Sequence, residues 1–553
     1  MSMSSRLQGI VCDAELCKPL AGVRVASLSD RSVSCETDDQ GRWVLDAEPQ
    51  GPVEFAKPGF TAKRYAAGAV PERVRLLSDR LLGYQDGLNF LPGETVAARI
   101  HAPTPYRARL LRYGLERLEV LDLGENPPCL QTVPDGLFVD TGLSWKETLN
   151  YTIPDNAQPG LYGLFLETDS DVSSFAIPMV VSTPPAARGD KSRLLVLTST
   201  ATWQSYNIWG GRSRYRNFET QDDVPFQVVA RKEPFKKRLK RRLPPRLVQW
   251  IKQCKALWRS ASRNATPPWQ KFRLSVQRPF TNCALEEHDD PNQPFTNHLA
   301  AGEWRVLAWL EREGIAYDVV TGHELHRDPE LLASYDAILL STHCEYWTKE
   351  MYTALRTRHF YHGLSVLNLS GNSIFREIEF YEDGSSRCVS LFFEKGCADE
   401  TEVLGVRFDM SDYGSCAPFK AVQPDHPLFE GCPLDADGVF GRDSLNRDTP
   451  VDREVYNPGR PGSGQKGSPY ALHGRGASGW ETDKRPPHRE NEFELLAKGL
   501  NSGGGADMVC RLPGGTRGLL FSASSLTFGA ALLIDPVISR LAHNAIRHGL
   551  ARG

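Results

Sequence analysis

Short apolar bursts separated by turn residues open the chain. Gly9-Ile10-Val11-Cys12, Val23-Arg24-Val25-Ala26-Ser27-Leu28 and Arg42-Trp43-Val44-Leu45 are such bursts, the second clearly alternating, and Asp38-Asp39-Gln40-Gly41 reads as the turn before the third. A period of two sends alternate side chains to opposite faces of a strand, and short alternating strands with frequent turns pack as a sandwich. Residues 1–80 are therefore predicted to form one β-sandwich. Residues 81–187 repeat the pattern in Thr95–Ile100, Gly160–Leu166 and Ser174–Val181, which predicts a second. After the linker Pro184-Pro185-Ala186-Ala187-Arg188-Gly189 the period changes. Leu194-Leu195-Val196-Leu197 and Ala337-Ile338-Leu339-Leu340 are unbroken apolar runs, as expected of strands covered on both faces. Trp304–Glu313 has helical spacing with Val306, Leu307 and Leu310 on one face, and Glu350–Phe360 reads as a second helix. Ser365–Ser370 and Gly518–Ser522 predict further strands, and Pro536–His548 a closing helix. The whole pattern predicts a multi-domain chain: two β-sandwiches, then a doubly wound α/β domain over residues 188–553.

Composition narrows the function classes. The net charge of −3 gives no global field for nucleic acid or an acidic membrane, and no apolar run of about 18 residues occurs. The 12 cysteines form no CxxC pair, so metal knuckles and a dense disulfide framework are not expected, and a cytoplasmic setting is. One basic run, Arg231 to Arg246 with nine Lys or Arg, lies in an insertion spanning 229–270. Aromatic residues are sparse there, which favours a solvated insertion over a nucleic-acid contact.

Chemistry-bearing residues gather at predicted strand ends. Ser341-Thr342-His343-Cys344-Glu345-Tyr346-Trp347 follows the run ending at Leu340, and an extended segment would point His343 and Glu345 the same way. Thr202–Tyr215 follows the first α/β strand, Leu369-Ser370-Gly371-Asn372 follows Ser365–Ser370, and Ala477–Asp483 is a further polar loop. In an open α/β sheet such loops converge at the carboxyl edge, where ligands bind. Cys344 invites a thiol-nucleophile reading, yet its neighbours His343 and Glu345 are too bulky for a nucleophile elbow, which favours a packing role.

Two resemblances follow from these residues. Gly9, Val11, Asp13, Pro19, Leu20, Gly22, Val23, Val25, Thr37, Asp38, Gly41 and Trp43 make a pattern that resembles the carboxypeptidase regulatory-like (transthyretin-like) domain. Thr202, Trp203, Tyr206, Asn207, Trp209, Gly210, Gly211 and Ser213, the pair Arg278-Pro279, then His343-x-Glu345-Tyr346-Trp347, Ser370-Gly371-Asn372, Gly479-Trp480-Glu481-x-Asp483 and Gly504–Met508 together resemble the large subunit of N,N-dimethylformamidase. That resemblance implies a class I glutamine amidotransferase-like α/β fold and hydrolysis of a small amide. It implies a mononuclear Fe(III) held by two tyrosines and a glutamate, acting as a Lewis acid. Glu345 matches the glutamate, Tyr206 the first tyrosine, and Tyr215 is the candidate for the second. His343, Asn372 and Glu481 match polar residues of the family's pocket, as substrate or oxyanion contacts and a general acid/base. A small accessory subunit or a homo-oligomer is the implied protein partner. The rival reading is a non-catalytic binding protein with a degenerate amidotransferase-like domain.

Overall fold

The structure, a computed structural model, describes residues 7–46, 49, 51–168, 174–217, 271–283, 285, 298–392, 398–445 and 476–551; the insertion 229–270 and its basic run lie outside them. The chain is sheet-rich, with several sheets and few helices among the described residues. At the N-terminal end a three-stranded sheet (Arg42–Leu45, Leu7–Asp13, Arg73–Leu76) faces a four-stranded one (Ser34–Glu36, Arg24–Ser27, Val53–Lys57, Phe60–Tyr65). Their alternate residues Val11, Val25, Trp43, Phe55 and Val74 share one core. Leu82–Gln85, Thr95–His101 and Leu149–Thr152 form a further three-stranded sheet. A five-stranded sheet carrying Tyr106–Tyr113, Gly160–Glu167 and Ser174–Val181 lies over it, with Ile100, Leu110, Leu164 and Ile177 between them.

The largest sheet has nine strands: β1 (Leu194–Thr198), β2 (Asp318–Thr321), β3 (Ala337–Leu340), β4 (Ser365–Asn368), β5 (Phe419–Ala421), β6 (Val439–Phe440), β7 (Glu494–Gly499), β8 (Asp507–Arg511) and β9 (Leu520–Ser522). They lie in the order β2-β1-β3-β4-β9-β8-β7-β5-β6. The five from β2 to β9 are parallel and the remaining pairings antiparallel. The sequence pattern predicts the parallel core. The antiparallel half escapes it because β5 and β6 are short and β7 is interrupted by a register shift.

Each unbroken apolar run splits between two cores. Leu194 and Val196 of β1, with Leu339 of β3, pack beneath α2 (Ala300–Arg312) and α6 (Pro536–Leu550). Leu195 and Leu197, with Ile338 and Leu340, pack on the other face against α3 (Gly322–Arg327), α4 (Lys349–Tyr361) and α5 (Glu400–Leu404). Both faces are therefore dry, which is why the runs 194–197 and 337–340 hold no polar residue. Local signals fix the helix starts. Thr321 and Glu324 form a capping box on α3, Thr348 accepts from Met351 N on α4, and Asp535 precedes Pro536 and accepts from Ile538 N on α6.

Candidate functional site

Four parallel strands stop at one place. β1 runs directly into α1 (Thr200–Tyr206), β3 into His343–Trp347, β4 into Gly371-Asn372, and β9 into Ser524-Ser525. The Glu481–Asp483 segment is laid over them: Leu526 N donates to Glu481 O at 3.1 Å and Asp483 N to Ser524 O at 2.9 Å. Tyr346–Trp347 pairs in parallel with Arg376–Phe380, a small sheet that the sequence pattern did not predict. Thr202 Oγ1 donates to His343 O at 2.8 Å, and Phe375 N and Arg376 N both donate to Glu345 O at 3.0 Å. The His343–Trp347 segment is thus fixed from both sides.

All six sequence-identified residues come together. Tyr215 Oη donates to Glu345 Oε2, and Tyr346 Oη donates to Tyr215 Oη at 2.6 Å. The rings of Tyr206 and Tyr215 lie 4.3 Å apart between centroids, and Tyr206 lies 5.4 Å from His343. His343 Nε2 is 3.2 Å from Glu481 Oε2 and 3.6 Å from Glu345 Oε2, so His343 and Glu345 do share a side. Asn372 Nδ2 donates to Glu481 Oε2 at 2.8 Å, and Asn372 N to Asp483 Oδ1 at 2.9 Å. His343, Glu345, Asn372 and Glu481 are each less than 5 % exposed. Tyr346, noted in the sequence but given no role there, joins through its phenol, and two residues that sequence reasoning did not single out also belong here: Arg376 with its Nε 3.9 Å from Glu345, and His298, whose ring is 5.2 Å from both Tyr206 and His343. Tyr346 sits inside a motif already quoted; His298 carries no local signal, because only tertiary folding brings it there.

Electrostatics follow from burial. Loss of water pushes Glu345 up to about 7, with Glu481 adding to the rise and His343 and Arg376 opposing it. Asp483 is likewise pushed up to about 7 by burial. Burial alone would depress the His343 imidazole, but Glu481 and Glu345 overcome it and hold it above its ordinary value. The phenols of Tyr206, Tyr215 and Tyr346 are driven well above the usual range by burial and by the neighbouring carboxylates. A cation would reverse that preference.

Tyr206, Tyr215 and Glu345 offer two phenols and a carboxylate, whose ionised forms are three hard anionic oxygens suited to a hard trivalent ion. Among the described residues no group of three or more His, Cys, Asp or Glu side chains is arranged to hold a metal. Among the described residues any centre here therefore depends on its phenols. Asn372 Oδ1, buried without a hydrogen-bond partner, remains open to a donor. The donor set fits the implied group.

Backbone strain concentrates at the same edge. Thr342, Asn372, Ile374, Trp480 and Ser524 have φ of 46°, 53°, 53°, 63° and 62°, the left-handed region that non-glycine residues avoid. The motif residues outside the cluster are supports. Arg278 donates to Trp209 O at 2.7 Å, and Asn207 Nδ2 to Pro279 O at 2.9 Å, tying down the chain after α1. Cys344 packs: its thiol lies 2.9 Å from Ser199 Oγ and is pushed up to about 12 by burial, which leaves no thiolate for attack. On another side of α1 a cleft of about 610 Å³ is lined by Thr200, Ala201 and Gln204 and contains none of the six.

No helix of the described residues is long and apolar enough to cross a membrane. No curated protein matches the chain. Among solved structures, a mutant Salmonella alpha-2-macroglobulin is similar at 14 % identity and TM-score 0.14, over 30 % of this chain and 11 % of that one. The N-terminal four Ig domains of Dscam1 are similar at 10 % identity and TM-score 0.12, over 32 % and 41 %. Likenesses this weak carry no argument about fold. The sequence profile of one family matches residues 117–539, most of the chain and all of the cluster just described, and on that match the chain belongs to the N,N-dimethylformamidase beta subunit-like, C-terminal family.

Proposed function

We propose that the chain is a metal-dependent hydrolase that cleaves the C–N bond of a small formamide-type amide. Family membership supports a formamidase-type hydrolase in general terms. The observation that carries the finer reading is the buried meeting of Tyr206, Tyr215 and Glu345 beside His343, Glu481 and Asn372. Tyr206, Tyr215 and Glu345 would hold a ferric ion, which supplies Lewis-acid polarisation and lowers the pKa of bound water.

The chain's own groups have separable tasks. His343, its Nε2 within ion-pair distance of Glu481 and Glu345, is placed to exchange a proton with either carboxylate. Glu481 Oε2 lies 3.2 Å from His343 Nε2 and accepts from the Asn372 amide, so it suits general acid/base work on the leaving amine. Asn372 is aimed by its own φ of 53° and by Asp483, and serves as a fixed polar contact for substrate. Tyr346 and Arg376 steady Tyr215 and Glu345. The burial of these residues excludes water and strengthens each of these interactions. The accessory-subunit reading rests on the family's description as a beta subunit. The binding-protein alternative is weakened by the same geometry, since a buried ion-pair cluster on four strand ends is costly to keep without use.

The test is elemental analysis with visible absorption on wild type beside Glu345→Ala, followed by turnover of dialkyl formamides. The expected result is about one iron per chain, a tyrosinate-to-iron charge-transfer band missing from the variant, and turnover reduced at least ~100-fold. Absence of stoichiometric metal from wild type, with full activity in the variant, would discard the mechanism.

A further inference from the structure

We infer that His298 contributes an imidazole nitrogen to the centre formed by Tyr206, Tyr215 and Glu345, an inference that rests on the metal reading above. Three rings meet at this point. His298 lies 5.2 Å from Tyr206, nearly perpendicular to it at 78°, and 5.2 Å from His343, while Tyr206 and His343 are 5.4 Å apart. His298 is 2 % exposed and sits in the turn just before α2, so a further segment of the chain, separate from the four strand ends, reaches the cluster.

Charge selects the kind of donor the site still needs. With the ion bound, two phenolates and one carboxylate would bring three negative charges, which balance a trivalent ion. A fourth anionic side chain would leave net charge in a dry interior, where it is expensive. A neutral imidazole adds a bond without adding charge, and it is a common ligand for iron. His343 is already engaged elsewhere, because its Nε2 faces Glu481 at 3.2 Å and Glu345 at 3.6 Å. The sequence also leaves few alternatives: no tyrosine occurs between Tyr215 and Tyr317, so the chain from 216 to 316 can supply no phenolate, and among its described residues His298 reaches the cluster.

The test loads the purified full-length protein with ferric iron and records pulsed EPR for coupled nitrogen, together with iron affinity and the visible spectrum. Wild type is compared with His298→Phe, His298→Tyr and His343→Gln. The expected result is an imidazole nitrogen coupling that survives in His343→Gln and is lost in His298→Phe, with iron affinity reduced roughly ten- to hundredfold in the latter. His298→Tyr should instead strengthen and shift the charge-transfer band by adding a phenolate, a gain that a mere packing role would not produce. Persistence of the nitrogen coupling in His298→Phe, or an unchanged spectrum in His298→Tyr, would overturn the assignment while leaving iron binding in place. Wild type that takes up no iron would overturn the metal reading and this inference with it.

Discussion

Glu303 illustrates how one buried carboxyl sets a pH dependence. Its Oε1 accepts from Ser199 N at 2.8 Å and from Trp203 Nε1 at 3.3 Å, while Oε2 is buried without a hydrogen-bond partner. Burial pushes the group up to about 8. A carboxyl raised in the folded state keeps its proton where the unfolded chain has lost it. The folded state is therefore favoured most below about pH 4.3, and stability falls as pH rises from there through about 8. Glu303→Gln should flatten that slope, so that thermal melts of the variant gain on wild type between pH 5 and 8.5. The gain is bounded by about 1.4 kcal/mol per pKa unit of the shift. Parallel melting curves at every pH would show that the group does not titrate this way. None of this was legible in the sequence, where Glu303 lies one residue before the predicted helix Trp304–Glu313.

The loop after β4 is positioned by a glycine. A Cβ on Gly371 would come within 2.4 Å of Glu481 O and 2.8 Å of Leu526 N, both backbone atoms that cannot swing aside. Gly371→Ala should therefore separate Asn372 from Glu481, costing about 1–3 kcal/mol of stability and most of the activity. A crystal structure of the variant with the Asn372–Glu481 hydrogen bond intact would contradict this. The element scale is where the sequence was most readable. The helices over Trp304–Glu313, Glu350–Phe360 and Pro536–His548 appear at Ala300–Arg312, Lys349–Tyr361 and Pro536–Leu550, and the parallel strands lie where unbroken apolar runs predict them. Two-residue strands such as Tyr346–Trp347 were invisible because they have no period to detect, and their pairing with Arg376–Phe380 is set by tertiary contact.

The sheet carrying Tyr106–Tyr113 and Gly160–Glu167 does not stand apart from the nine-stranded sheet. Leu111, Tyr113, Leu161, Phe165 and Val180 enter the same core as Val306, Leu310 and Leu339. Arg112 Nη2 meets Glu311 Oε1 at 2.6 Å, and Trp304 Nε1 donates to Gly114 O at 2.7 Å. A chain beginning at residue 188 would expose that apolar surface, so it is expected to be insoluble, whereas residues 81–553 should melt in one calorimetric transition. A truncated chain that folds with an unchanged Tm would refute the shared core. The first pair of sheets has its own core yet touches the loop after α1, where Gly210 N and Gly211 N donate to Glu15 O at 2.7 and 2.8 Å. The sequence shows such junctions poorly, since a residue that faces a second layer looks the same as one that faces its own. The left-handed residues Thr342, Asn372, Ile374, Trp480 and Ser524 carry a last consequence, one for laboratory evolution. Each costs of order 1–3 kcal/mol that glycine would largely recover. At Thr342 and Ser524, whose side chains are small, selection for heat resistance alone should therefore drift toward glycine, whereas burial holds Ile374 and Trp480 in place, and the lineages that gain the most degrees are the ones expected to lose turnover first.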